Sequence, residues 1–317
     1  MMVYFSSRGH SHNFEGIRRR VTGQHERWLD LIGGIYNDGA DRSPRGQLTK
    51  EVLSASYEVD PVAPLMAFPA RKLNLDYVKQ EFCWYLRANR KDVSIAEMAS
   101  IWKDIINPDG SINSNYGHYL FNPDSSPGYA HNMARVKLEL ERDQDSRRAA
   151  ICILSNELLC SETKDYPCTA YLNWHIRDNY LVMHVHMRSQ DAVFGLGNDA
   201  PAFSFVHQMM WCALRQKYPF LNLGWYCHTV DSLHLYERHF KMAERILEDK
   251  CDNLDIEGSI VPMMSGDISQ VLELFEVAKT PDTLKAAAAL VKEKGEDSKY
   301  TEFTRWLLTR DKESSLL

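Results

Sequence analysis

The sequence predicts an α+β protein with a largely central mixed sheet flanked by helices. Strand-like and helix-like segments are mixed along the chain. The strand-like ones gather in the middle, separated by turns. Apolar residues make up 44% of the 317 positions, enough for one large core.

Taken in order, residues 14–36 carry Ile17, Val21, Trp28, Leu31, Ile32 and Ile35 at helical spacing. NDGADRSPRGQ (37–47) is rich in loop formers, and 50–59 reads as a strand. LDYVKQEFCWYLRAN (75–89) is an amphipathic helix, and NPDGSINSNYG (107–117) is turn-rich. A helix over 129–142 leads through DQDSRR to a strand, AAICIL (149–154). Strands over 168–176 and 180–187 flank the turn-like Arg177-Asp178-Asn179. A helix is expected over 200–216, a strand over GWYCHTV (224–230), and a helix near 232–250. DTLKAAAALVKEKG (282–295) and TEFTRWLLTR (301–310) read as helices of a C-terminal appendage. The resulting division is an N-terminal extension over 1–27, a catalytic domain over 28–250 and a helical appendage over 251–317.

Net charge is −6, so the chain has no overall cationic footprint for nucleic acid. The basic run Ile17–Arg20 reads as a solvated helix face. Cys83, Cys152, Cys160, Cys168, Cys212, Cys227 and Cys251 are irregularly spaced with no CxxC, which predicts reduced thiols rather than disulfides or zinc. No apolar run is long enough for a bilayer span, and MMVYFSSRGHSHNF has no apolar signal core. A cytoplasmic protein with no membrane and no nucleic-acid partner is expected.

Several residues suggest chemistry. Cys168 follows Pro167 and opens a strand; Arg188 lies across the hairpin-like turn, and a cation beside a thiol favours the thiolate. A buried structural cysteine is the ordinary alternative. Arginines cluster beside turns: Arg42 and Arg45, Arg147 and Arg148, and Arg188 with Ser189. Guanidinium forks suit phosphate oxygens, so a small phosphorylated ligand is expected. Glu81 sits among Phe82, Trp84, Tyr85 and Leu86, either a helix-boundary carboxylate or a partly buried acid–base group. His184 and His186 share a strand face, but no third metal ligand is evident and no metal is expected. His234 and Tyr236 share a face if that segment is extended, where they suit a sugar hydroxyl.

Together these motifs resemble the thymidylate synthase superfamily over residues 28–245, in order as well as in type. GADRSPRG is similar to the family's phosphate loop, with Arg42 at its arginine. QEFCWYL is similar to the helix carrying a catalytic glutamate, here Glu81. Ile101-Trp102 and Asn115-Tyr116-Gly117 fall at the family's Trp and Tyr-Gly positions. DSRR resembles the arginine pair, here Arg147 and Arg148, that reaches the neighbouring subunit's phosphate. Pro167-Cys168 stands at the nucleophile, RSQDAVFGLGND at the long signature, and HTVDSLHLYERH at the His-x-Tyr sugar motif.

The resemblance implies a homodimer with shared sites. It also implies 5,10-methylenetetrahydrofolate as co-substrate, held by Trp102, Asp191 and Gly195, with Tyr116 in the active site and no nicotinamide. Within the superfamily, GSINSNYG, MRSQDAVFGLGND and SLHLYERHF resemble the cytidylate hydroxymethylase branch. Asp199 stands where synthases carry Asn, and Thr169 where they usually carry His. An ionised carboxylate only accepts hydrogen bonds, which suits the cytosine N4–H and a protonated N3–H and opposes the uracil O4.

The implied reaction is hydroxymethylation at C5 of dCMP. Cys168 adds to the base, Glu81 and Asp199 handle protons, Arg42, Arg147, Arg148, Arg188 and Ser189 hold phosphate, and His234 and Tyr236 hold the sugar. CMP as substrate, a dUMP-modifying activity, and a catalytically silent nucleotide- or RNA-binding regulator are the alternatives. The DRSPRG loop and the DKESSLL terminus both depart from the synthase pattern.

Overall fold

The hairpin at the centre of the chain turns on Asp178 and Asn179, both in the left-handed region at φ 50° and 63°. Such a pair forms the two-residue turn that matches strand twist, and Asp and Asn tolerate it best after glycine. The turn joins β4 (Thr169–Arg177) to β5 (Tyr180–Asp191). With β1 (Ala40–Arg42), β2 (Thr49–Val59), β3 (Ala150–Cys152) and β6 (Asn222–Tyr236), these form a six-stranded mixed sheet ordered β1-β2-β6-β5-β4-β3. The computed structural model describes residues 14–248 and 259–310, with side chains from Thr22 onward. The run Ile17–Arg20 and Cys251 lie outside those described side chains.

The chain divides into two units, one of residues 1–73, 184–204 and 224–261, the other of 74–183, 205–223 and 262–317. In the first, α1 (Phe14–Asp38) packs on β2 and on α8 (Phe240–Glu248). It contributes Trp28, Ile32 and Ile35 to the core, each no more than 1% exposed. β1 pairs antiparallel with β2, and β2 with β6, so Arg42, Thr49 and Tyr236 form one cross-strand row and Ala40, Glu51 and His234 the next. Residues in register on antiparallel strands project to one face, so Arg42, His234 and Tyr236 share it.

In the second unit, α2 (Leu75–Arg87) is capped at its start by Asn74, whose side chain accepts from the Tyr77 N–H. Ala88 ends it in the left-handed region. α2 packs on α4 (Tyr116–Phe121) and on α9 (Ile268–Ala278). The α4 contact explains the glycine of Asn115-Tyr116-Gly117: a Cβ at Gly117 would sit 1.8 Å from the Tyr85 carbonyl oxygen. Only glycine lets the two helices approach so closely. α5 (Asn132–Arg142) lies on β3 and β4, and α10 (Pro281–Lys294) and α11 (Glu302–Leu308) close on one another.

Three expectations need correction. Residues 232–236 continue β6 rather than starting a helix, and α8 begins at Phe240. The alternation Leu233, Leu235 buried against Ser232, His234, Tyr236 partly open is a strand pattern. The helix expected from 200 starts at Phe194, as α7 (Phe194–Leu214), so Gly195 and Asp199 are helical. The expected loop 37–47 contains β1 and a 3-10 turn, Pro44–Gly46, in which Arg45 takes φ 52°. α9 fell in a stretch where composition alone suggested no element. No described helix is long and apolar enough to cross a membrane.

Candidate active site

The residues expected to act on a nucleotide fall into two sets, one in each unit. The first unit holds Arg42, Arg188, Ser189, Asp191, Gly195, Asp199, His234 and Tyr236. The second holds Glu81, Trp102, Tyr116, Arg147, Arg148 and Cys168.

In the first unit the β1–β2–β6 register presents Arg42, His234 and Tyr236 together. Arg42 is exposed, with its Nε 3.7 Å from Glu51, a contact worth little in solvent. His234 and Tyr236 meet edge to face at 4.9 Å, and Arg238 lies 3.9 Å over the Tyr236 ring. The Ala192 N–H donates to the His234 carbonyl, bringing the end of β5 beside this pair. Arg188 and Ser189 are half-buried on β5 just upstream.

Asp191 caps α7: its carboxylate accepts from the backbone N–H of Phe194 at 2.8 Å and of Gly195 at 3.2 Å. Burial works to raise its pKa, but His239, 3.8 Å away, and those backbone donors outweigh it and hold the carboxyl below its usual range. Asp199 lies further along α7, half-buried. Its Oδ2 accepts one neutral donor, Gln190 Nε2, at 3.0 Å. Burial pushes its pKa up to about 7; Gln190 opposes the rise and the Asp191 charge adds to it. The ionised-carboxylate argument from sequence therefore needs revision, because near neutral pH Asp199 is in large part a neutral acid.

Sequence reasoning missed three residues here. Gln190 is 3% exposed and accepts from the Tyr57 hydroxyl at 2.9 Å. Tyr57, on β2, stacks on His228 at 5.2 Å and 7°. Arg71, 3% exposed, donates to the Val193 carbonyl at 3.0 Å and to Asn198 Oδ1 at 2.8 Å. Burial lowers its pKa to about 10, so it stays charged at neutral pH. Its guanidinium fills the space where a Cβ at Gly197 would lie, 2.5 Å away. Gln190 stood inside a quoted motif, but its role depends on which strand faces it; Arg71 carried no sequence signal.

In the second unit Glu81 is 4% exposed, on α2. Its Oε1 accepts from the Tyr77 hydroxyl at 2.9 Å, and that oxygen accepts from Trp102 Nε1 at 3.0 Å. Trp102 tilts against Trp84 at 5.3 Å, and Tyr116 against Tyr85 at 5.6 Å. Cys168 is half-buried at the start of β4, between buried Pro167 and Thr169. Arg147 and Arg148 are exposed in the turn before β3. His184 and His186 lie on the outer side of β5, where His186 Nε2 pairs with Asp231 at 3.0 Å.

The family model for thymidylate synthase matches residues 26–263. The deoxycytidylate 5-hydroxymethyltransferase of Enterobacteria phage T4 is 30% identical over 210 residues, covering 63% of this chain and 80% of that protein. The enzymes of the same name from phages T2 and T6 match with the same figures. The α+β chain with its six-stranded sheet is a transferase that carries a one-carbon unit to a pyrimidine nucleotide, and it belongs to the thymidylate synthase family.

Proposed function

We propose that this protein is a dCMP 5-hydroxymethylase: it joins a one-carbon unit to C5 of dCMP and completes the reaction with water. The carrying observation is the similarity to the phage deoxycytidylate 5-hydroxymethyltransferases, with the half-buried Asp199 carboxyl able to present one donor and one acceptor to a base edge. A cytosine offers the matching N3 acceptor and N4–H donor.

The 5′-phosphate is held by Arg42, Arg188 and Ser189, with Arg147 and Arg148 of the partner subunit completing the clamp in a two-fold homodimer. The exposure of Arg147 and Arg148 supports that assignment. His234 and Tyr236, paired on one sheet face, hold the sugar hydroxyl. The Cys168 thiolate adds to C6 of the pyrimidine, and the electron pair displaced to C5 makes that carbon nucleophilic.

The residues fit 5,10-methylenetetrahydrofolate. The Trp102 indole, its N–H already bonded to Tyr77, offers a half-buried ring face to a flat heterocycle. Asp191, whose carboxylate accepts from the Gly195 N–H, and Gly195 itself are the other two residues assigned to the folate. When bound, the folate supplies the one-carbon unit at the formaldehyde level. Glu81, oriented by the Tyr77 hydroxyl, holds the water that adds to the exocyclic methylene carbon and takes its proton. The C5 proton is lost and the carbon–nitrogen bond to tetrahydrofolate breaks before that addition, which is what makes the methylene exocyclic. Water addition returns the electron pair toward C5. The pair re-forms the C5–C6 double bond as the Cys168 thiolate leaves C6, and 5-hydroxymethyl-dCMP and tetrahydrofolate result. Tyr116, packed under the α2 aromatics, steadies Glu81's helix.

The test is tritium release from C5-labelled dCMP, CMP and dUMP with methylenetetrahydrofolate. Release from dCMP, absent after Cys168→Ala, is the expected result. Preference for CMP keeps the mechanism and changes the sugar. Release from dUMP with a methyl product overturns the base assignment, and no release from any of them favours a silent binder.

A further inference from the structure

A neutral carboxyl does not by itself tell cytosine from uracil. It has one O–H donor and one acceptor oxygen. Cytosine sets an N3 acceptor beside an N4–H donor; uracil sets an N3–H donor beside an O4 acceptor. The same acid fits either edge, depending on which of its two oxygens carries the proton. Discrimination therefore rests on whatever fixes the proton's position.

Among the described residues the group that bonds the Asp199 carboxyl is Gln190, on Oδ2 alone at 3.0 Å. The Gln190 amide bridges Tyr57 and Asp199. Its Oε1 is occupied by the Tyr57 hydroxyl at 2.9 Å, so Nε2 is the end that faces Asp199. Tyr57 is itself fixed, 5% exposed and stacked on His228. A carbonyl-type oxygen accepts an N–H better than a hydroxyl oxygen does, so an amide donor at Oδ2 drives the proton to Oδ1.

We propose that Gln190 is a specificity-determining positioning residue, set by Tyr57, which keeps Oδ2 an acceptor for the cytosine N4–H and places the exchangeable proton on Oδ1 opposite N3. The inference rests on the dCMP reading above. A uracil edge would require the proton on Oδ2, against the Gln190 donor. Oδ2 has lone pairs for both Gln190 and N4–H.

The experiment compares wild type, Gln190→Met and Tyr57→Phe, with folding checked by circular dichroism. kcat and KM are measured for dCMP and dUMP by tritium release, and the affinity of each nucleotide by calorimetry. Gln190→Met keeps length and removes the donor; the dCMP-over-dUMP ratio of kcat/KM should fall about ten- to a hundredfold. Tyr57→Phe deletes one oxygen and leaves the amide free to turn; the ratio should fall in the same direction by about three- to tenfold. A merely structural role lowers both substrates together and leaves the ratio unmoved, which overturns the proposal. If Gln190→Met does not fold, Tyr57→Phe decides. Wild type inactive on dCMP refutes the dCMP reading, whereas active wild type with unmoved ratios refutes Gln190 alone.

Discussion

The start of α7 and its next turns hold two carboxyls in opposite states. Asp191, at the helix start, is kept ionised by backbone N–H groups and His239. Asp199, inside α7 where Asp191 ends β5 just before it, meets a single neutral amide and rises to about 7. Burial acts on both in the same direction, so the difference comes from the neighbours: backbone N–H groups at a helix start and the His239 ring for one, a side-chain amide and the Asp191 charge for the other. Two carboxyls driven apart by their surroundings are a mark of divided labour, one structural and anionic, the other able to hold and release a proton.

The largest expected effect comes from removing that second state. Asp199→Asn fixes a neutral amide in place of the acid. It should lower kcat/KM for dCMP by about a thousandfold and shift preference toward dUMP, read by tritium release on both nucleotides. An unchanged preference would break the contrast with Asp191.

Next is pH. Asp199 is protonated below about 7 and ionised above it. The groups around it are Asp191, Tyr57 and Tyr226, with Arg71 on the adjoining Asn198 and His228 stacked on Tyr57. The tyrosines are raised well above 10 and His228 is pushed down to about 3, so none of these three titrates near 7. dCMP affinity without folate should therefore weaken above pH 7, approaching tenfold per unit, and Asp199→Asn should flatten the curve. The same shift touches stability. An acid whose folded pKa is raised binds its proton more tightly folded than unfolded, so its contribution declines as pH rises from about 4 to about 7. Denaturant midpoints across that window should fall less in Asp199→Asn than in wild type.

Smaller effects sharpen the helix start. Gly197→Ala places a methyl against the Arg71 guanidinium and should cost about 1–3 kcal/mol in denaturant unfolding. Asp191→Ala removes the α7 cap, with a loss of about 1 kcal/mol by the same measurement.

Much of this was legible in the sequence, and the limits have physical causes. Alternation and turn residues disclosed the β4–β5 hairpin, because Asp178-Asn179 is a local signal. The extent of β6 was misjudged because SLHLYERH has apolar residues compatible with either period, and the pairing of Glu51 with His234 that decides it is non-local. The helix containing Asp199 begins six residues before the expected start at 200, and Gly197 within it leaves room for the Arg71 guanidinium. Gln190 and Tyr57 lie on separate strands, and their contact exists only once β2 and β5 are in place.

The most direct test of the account is the oxygen in the product. dCMP and methylenetetrahydrofolate are incubated with the enzyme in water enriched in oxygen-18, and the nucleotide is weighed by mass spectrometry. A 5-hydroxymethyl-dCMP carrying the heavy oxygen is the predicted result. A 5-methyl product accompanied by dihydrofolate, or a hydroxymethyl group free of solvent oxygen, would contradict water capture in this site.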